Sequence, residues 1–214
     1  MTVTNANELL TDLTRSRYQR ISPLYDRMEI MSERRFSTWR KMLWTQVQGP
    51  KILEVGVGTG KNIPYYPSGM QITGIDLTPG MLNRARVRAA KLNQDTELGL
   101  GDVQRLEFYD DSFDSAVATF VFCSVPDPIR GLREMNRVVK PGGRILLLEH
   151  VRIDHPMIGR MMDLLNPLVV HLTGANINRQ TVENVKRAGL NIVSVEHLGP
   201  MEMVKMIVAR PNKE

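Results

Sequence analysis

The sequence predicts an α/β fold: an open sheet of five parallel strands, closed by a C-terminal antiparallel hairpin, with helices on both faces. Three observations carry this. From Lys51 onward short β-rich runs alternate with helical patterns, the rhythm of βαβ units and a parallel sheet. Helix-start and helix-stop signals punctuate the alternation. The last two β-rich runs are joined by only a few residues around Gly199 and Pro200, and so short a connection demands an antiparallel pair.

The elements follow in order. The first fifty residues read as helical, hold no strand, and form an N-terminal addition. "KILEV" opens the sheet and "QITGID" is the second strand, ending at Asp76. Thr78 and Pro79 then give an N-cap and a proline at the first helical position. The helix they start carries Met81, Leu82, Ala85, Ala89 and Leu92 on one face, with Arg84, Arg88 and Lys91 on the other. "TELGL" and "SAVATFV" are strands three and four. Asp127 and Pro128 begin a helix with Ile129, Leu132 and Met135 inward, which stops at "KPGG" before the fifth strand, "RILLLEH". "NIVSVEHL" and "MVKMIVAR" make the hairpin. Residues 51–214 are thus one domain, with 150–178 as an insertion before the hairpin.

Composition bounds the function. In 214 residues, 42% hydrophobic and 24% charged is ordinary for a chain with a real core. The single Cys123 excludes an internal disulfide. The start lacks the basic-then-apolar pattern of a secretory leader, and no uncharged apolar run approaches the length of a spanning helix, so a cytoplasmic location is expected. The net charge of +5 fits either a solvated basic surface or attraction to an anionic one. Only 6% of residues are aromatic and no basic stripe interleaves with them, which argues against a nucleic-acid partner. The four histidines are dispersed, with no H-E-x-x-H and no cysteine pair, so no metal is expected.

"ILEVGVGTGKN", Ile52 to Asn62, is the motif that carries chemistry. It is not a phosphate-binding P-loop: Val55 stands where the first glycine belongs, and Asn62 where Ser or Thr must follow the lysine. It is not the dinucleotide fingerprint either, because the third glycine would fall at Lys61. What survives is an acid and three glycines, Glu54, Gly56, Gly58 and Gly60, at a strand-to-helix turn. Close glycines let a ligand approach the backbone, at the carboxyl end of a strand where open α/β sheets bind ligands. Asp76 ends strand two, placed to accept ribose hydroxyls. Asp102 follows strand three, placed to accept from an adenine amino group with Val103 against the ring. Each acid alone would serve equally as a loop cap; the ordered set, one after each strand, points to a nucleoside ligand.

With "GIDLTPGMLNRAR", "GDVQRLEF", "DSFDSAVATFVFCSVPDP" and "LREMNRVVKPGGRILLLEH", the series resembles the motifs of class I S-adenosylmethionine-dependent methyltransferases over Lys51 to His150. The resemblance implies S-adenosylmethionine as cofactor. Glu54 and the Gly56, Gly58 and Gly60 loop would hold its methionine part, Asp76 the ribose, and Asp102 with Val103 the adenine. It also implies that Leu77, Met81 and the capping Tyr25 contact the cofactor, and that Phe120 and Val121, after strand four, line the floor near the transferred methyl.

"YQRISPLYDRME" and the strand-five block are similar to the group that holds quinone-biosynthesis C-methyltransferases and soluble bacterial phosphatidylethanolamine N-methyltransferases. "HLGPMEMVKMIVARPN" looks more like the phospholipid enzymes, which implies N-methylation of phosphatidylethanolamine toward phosphatidylcholine. The alternatives are a ubiquinone or menaquinone C-methyltransferase, or a non-catalytic cofactor sensor. Tyr18, Tyr25 and His150 are the expected catalytic residues, positioning the acceptor or relaying its proton, although a loop histidine of purely structural role reads the same way. "HPMIGRMMDLLNPLVVHLTG" carries a dense set of Met, Leu and Val and only two charged residues, suited to acyl chains or to covering the core. Arg15, Arg17, Arg20 and Arg27 beside Leu9, Leu10 and Leu13 make the first segment either a membrane-surface helix or a lid with a solvated basic face. A monomer peripherally bound to an anionic membrane is expected.

Overall fold

The computed structural model describes residues 3–213, with side chains except at 3–5, 31–32 and 172–173. Seven helices are α1 (Val3–Ile21), α2 (Tyr25–Met28), α3 (Ile30–Trp44), α4 (Pro79–Lys91), α5 (Pro128–Val138), α6 (Pro156–Thr173) and α7 (Thr181–Arg187). Seven strands are β1 (Lys51–Val55), β2 (Gln71–Asp76), β3 (Glu97–Leu100), β4 (Phe113–Thr119), β5 (Val139–His150), β6 (Asn191–Leu198) and β7 (Val204–Arg210). They form one sheet in the order β3-β2-β1-β4-β5-β7-β6. The first five are parallel and β7 is antiparallel to both neighbours.

Each inner strand is apolar on both faces because helices cover both. One face packs Leu53, Ala116, Ile145 and Leu147 against Leu132 and Met135 of α5 and Val185 of α7. The other packs Ile52, Val117 and Leu146 against Leu43 and Trp44 of α3 and Leu82 and Ala85 of α4. Strand order reverses between β1 and β4, so their carboxyl ends splay apart and leave a crevice.

Local signals mostly act as expected. The Asp127 carboxylate caps α5 by accepting from the Arg130 amide at 3.0 Å. Thr78 occupies its cap position without a side-chain cap bond; the Asp76 carboxylate accepts from the Thr78 amide instead. Leu92, expected inward, is exposed, because α4 ends at Lys91 and the chain turns away there. "KPGG" lies inside β5 rather than before it: Phe113 pairs with Val139 and Ser115 with Arg144, so the segment bulges out between two paired stretches. No helix among the described residues is long and apolar enough to cross a membrane.

Candidate active site

The crevice at the carboxyl ends of β1, β2 and β4 opens into a cavity roofed by α1 and α2. Its wall includes Gly56, Gly58, Asp76, Leu77, Met81, Asp102 and Val103, and also Tyr18, Tyr25, Glu29, Arg40, Phe120 and Ser124.

The three glycines do different things. A Cβ on Gly58 would meet nothing nearer than the Gly56 carbonyl oxygen at 3.9 Å, so this backbone is the bare face turned to the cavity. A Cβ on Gly56 would strike a methyl of Val121 at 2.4 Å. Gly60 departs from expectation. It is absent from the cavity wall, and a Cβ there would run into Ile63 at 2.5 Å and the Ala85 backbone at 3.0 Å. Its small size lets the loop pack on α4; it does not face a ligand.

Asp76 holds the loop. One carboxylate oxygen accepts from the Gly58 amide and the other from the Thr78 amide, both at 2.8 Å. Burial raises its pKa against the pull of those two amides. Asp102 accepts from the Gln104 amide at 2.9 Å and from the Gln104 side chain. The Gln104 side chain also donates to Thr11 of α1 at 3.0 Å and accepts from the Asp127 amide at 3.0 Å. This one side chain links the roof, Asp102 and the start of α5. The sequence offered no signal for it, because a glutamine two residues past an acid has no distinctive pattern.

Glu54 reaches the cavity wall, yet its oxygens are engaged from within the protein. One accepts from Asn62 at 2.7 Å and the other from the Tyr66 hydroxyl. Burial pushes it up to about 7 despite hydrogen bonds from Tyr66 and Asn62. Arg40 donates to Asn62 at 3.0 Å, so α3 is tied into the same network. Glu54 therefore organises this end of the cavity as well as facing it.

The roof is fastened by polar bonds. The Tyr18 hydroxyl and the Ser124 hydroxyl share a hydrogen bond of 2.6 Å. Thr59, in the glycine loop, donates to Asp26 of α2 at 2.6 Å, and Arg88 of α4 donates to the same carboxylate at 2.9 Å. Arg84 donates to the Pro23 carbonyl at 2.7 Å, and Gln19 accepts from the Gly80 amide at 2.8 Å. Lys61 pairs with Glu29 and, at 3.2 Å, with Glu33. Arg84 and Arg88, expected on a free face of α4, thus serve the roof.

Two of the three expected catalytic residues share the cavity. The Tyr18 and Tyr25 rings lie 6.3 Å apart, tilted by 53°. Burial raises both hydroxyl pKa values far above the ordinary tyrosine range, so both stay protonated. His150 is not with them. It lies outside the cavity wall, its ring stacked on Phe120 at 4.5 Å and edge-on to Phe36 at 5.6 Å. Burial lowers its pKa and keeps it neutral. The physical reason is the direction of the strand end: β5 delivers His150 against the ring of Phe120, and it is Phe120, with its backbone in the left-handed region at φ 57°, that faces the cavity.

Residues 53–147 match the family described as Methyltransferase domain. The demethylmenaquinone methyltransferase of Staphylococcus aureus is 32% identical over 195 residues, spanning 86% of this chain and 80% of that protein. The chain belongs to the class I S-adenosylmethionine-dependent methyltransferases. The phosphatidylethanolamine N-methyltransferase of Cereibacter sphaeroides is 39% identical over 109 residues, half of this chain (50%) and 54% of that relative. The match thus spans about half the length of that phospholipid enzyme. Among solved structures, a methyltransferase from Thermotoga maritima superposes with a TM-score of 0.69 at 20% identity, covering 93% of this chain and all of its own. The [4+2]-cyclase SpnF superposes at 0.67 with 21% identity, covering 82% and 79%. These last two speak for the fold alone, and the cyclase shows that the fold serves more than one chemistry.

As a class I methyltransferase the protein takes S-adenosylmethionine, and its residues fit that molecule. The bare Gly58 backbone is a cradle a side chain would fill. Asp76 and Asp102 stand one strand apart along the wall, with Leu77, Met81 and Val103 supplying apolar surface between them. Gly56, Gly58, Asp76, Leu77, Met81, Asp102 and Val103 line the cavity and would hold it there.

Proposed function

We propose that this methyltransferase N-methylates the ethanolamine head group of phosphatidylethanolamine and its partly methylated forms, producing phosphatidylcholine at an anionic membrane surface. The observation that carries the reading is the roof end of the cavity, where Tyr18, Tyr25 and Phe120 lie on one wall system with the Glu29 carboxylate. Aromatic faces and a carboxylate suit a substrate that is cationic at the start and, once quaternary, at the end. The relationship to the Cereibacter sphaeroides enzyme supports it.

The cofactor supplies a methyl group activated by a positively charged sulfonium. The chain's own residues have three tasks. Tyr18 and Tyr25 close the cavity and keep water from the reacting end. Their hydroxyls, held protonated, orient the head group as hydrogen-bonding groups and do not act as phenolate bases. An ammonium must lose one proton before its nitrogen can attack, and Glu29 is the carboxylate at that end able to receive it, with its Lys61 partner holding it in place.

Lipid access is supported by surface chemistry. On α6, Met157 and Leu164 are about four-fifths exposed (78% and 80%), with Met161, Leu165 and Leu168 also outward. On α1, Leu9, Leu10 and Leu13 are exposed beside Arg15, Arg17 and Arg20. Such a surface combines apolar insertion with attraction to anionic lipid.

A second reading, C-methylation of a menaquinone precursor, is favoured by the longer match to the Staphylococcus aureus enzyme. Incubation with methyl-labelled cofactor and a total bacterial lipid extract separates the two. Label in phospholipid whose head group is methylated supports the proposal; label in quinone, or none in lipid, overturns it.

A further inference from the structure

Glu149, the penultimate residue of β5, is fully buried and does not line the cavity. One of its oxygens accepts from the amide of Val121 at 2.9 Å and from that of Phe122 at 3.2 Å. The residue before it, Leu148, accepts from the Phe120 amide at 2.8 Å. The end of β5 therefore grips the turn after β4 at three successive amides.

That turn needs a grip. Phe120 sits at φ 57°, a conformation costly for a residue with a Cβ and kept only where the surroundings impose it. Two amides bonded to a carboxylate form strong, charge-assisted bonds. Burial pushes Glu149 up to about 7, while the amides of Val121, Phe122 and Cys123 and the Arg179 guanidinium act to keep it charged. Its second oxygen has no hydrogen-bond partner among the described residues, so the bonding they show for this carboxylate goes to the turn.

What the turn controls lies across the crevice. A Val121 methyl fills the place where Gly56 would carry a Cβ, at 2.4 Å. Gly56 opens the loop whose next glycine, Gly58, is the bare face of the cavity. Val121 itself lines the same wall. A movement of the turn would take away the surface on which the start of the glycine loop rests.

We propose that Glu149 is a positioning residue for the cofactor site: by holding the amides of Val121 and Phe122 it fixes the turn after β4, and through Val121 it fixes the glycine loop. It acts without touching the ligand. The proposal rests on the cofactor and is independent of the acceptor.

The test is calorimetric titration of the purified protein with S-adenosylhomocysteine, alongside thermal melting, for wild type, E149A, E149Q and V121A. Wild-type binding establishes that the site works. Folded E149A is expected to bind at least ~10-fold more weakly, the loss that follows from removing the acceptor of two buried amides. E149Q keeps an oxygen that accepts from the same amides and is expected within about 3-fold of wild type. V121A is expected to bind about 3- to 10-fold more weakly, beyond any loss of melting temperature. Folded E149A with affinity within about 2-fold of wild type would overturn the proposal, as would E149Q as weak as E149A. If E149A does not fold, E149M, which keeps the side-chain volume without the acceptor oxygens, takes its place: at least ~10-fold weaker binding upholds the proposal, and affinity within about 2-fold of wild type overturns it.

Discussion

The two ends of the cavity are built by different means. At the cofactor end, carboxylates on strand ends accept from backbone amides a short way off: Asp76 from Gly58 and Thr78, Asp102 from Gln104. Shape there is set by the main chain, and side chains mostly hold the main chain still. Around the proposed acceptor site, under the roof, side chain meets side chain across long stretches of sequence: Tyr18 with Ser124, Asp26 with Thr59 and Arg88, Lys61 with Glu29. Main-chain sites respond to substitution all or nothing. Side-chain sites give graded losses, because each contact can be weakened alone.

The largest effect is expected at the cofactor end. Gly58→Val should reduce S-adenosylhomocysteine affinity by at least ~100-fold, since Cβ and its methyls enter the cavity and the residue stands at φ 57°, which a β-branched side chain resists. Gly60→Ala sharpens the contrast: it should lower the melting temperature first, because its Cβ strikes α4 and not the ligand. Calorimetry beside melting curves checks both. A Gly58→Val protein that still binds would break the claim that this end is made of main chain.

At the acceptor end, Tyr18→Ala and Tyr25→Ala should each slow methyl transfer by about 10- to 100-fold while Phe at either position loses less, as expected where ring faces matter more than hydroxyls. Steady-state rates with phosphatidylethanolamine vesicles measure this. Equal losses for Phe and Ala would assign the work to the hydroxyl, and with it to the Tyr18–Ser124 bond.

Glu54 belongs to the border between the ends, and its signature is pH. Its pKa is pushed up to about 7 in the fold, above its ordinary 4.5. The folded state therefore holds the proton more tightly. The associated stability is fully present below about pH 4.5 and is lost as pH rises through about 7, on the order of 3 kcal/mol. Urea unfolding of wild type and Glu54→Gln between pH 4.5 and 8 should show a fall in wild type that is smaller in the variant, which keeps the share due to Glu149. Parallel curves would place Glu54's proton elsewhere.

The smallest effect is expected on the outer surface. Replacing Arg15, Arg17 and Arg20 with Ala should weaken sedimentation with anionic vesicles several-fold and flatten its salt dependence, the loss of a surface attraction that salt screens. Cofactor affinity should not follow. Unchanged vesicle binding would remove these arginines from the membrane reading.

The contrast also explains what could be read from the sequence. Glu54, Gly56, Gly58, Asp76 and Asp102 announce themselves because each sits at a fixed offset from the end of its own strand, and strand ends are visible in an alternating pattern. The seven strands were legible for the same reason, apart from the bulge that carries "KPGG" into β5. Gly60 was misplaced because sequence shows that a turn needs glycine, not which neighbour crowds it. His150 was misplaced because its position after β5 gives an edge of the sheet but not the ring of Phe120 in front of it. Ser124, Gln104 and Glu29 went unremarked. Their importance comes from Tyr18, Thr11 and Lys61, which lie 106, 93 and 32 positions away.

Helix α1 is turned inside out. The side chains it plants on the protein are Thr11, Tyr18 and Gln19, bonded to Gln104, Ser124 and Gly80, while Leu9, Leu10 and Leu13 already face outward. Lifting such a helix wets hydroxyls and amides but little new hydrocarbon. Its release should therefore carry a small heat-capacity change and a shallow dependence on urea, unlike global unfolding, which exposes the two apolar layers. Amide exchange along α1 should accordingly proceed by local opening whose free energy barely responds to denaturant, while the amides of β1 and β4 exchange only when the whole sheet comes apart.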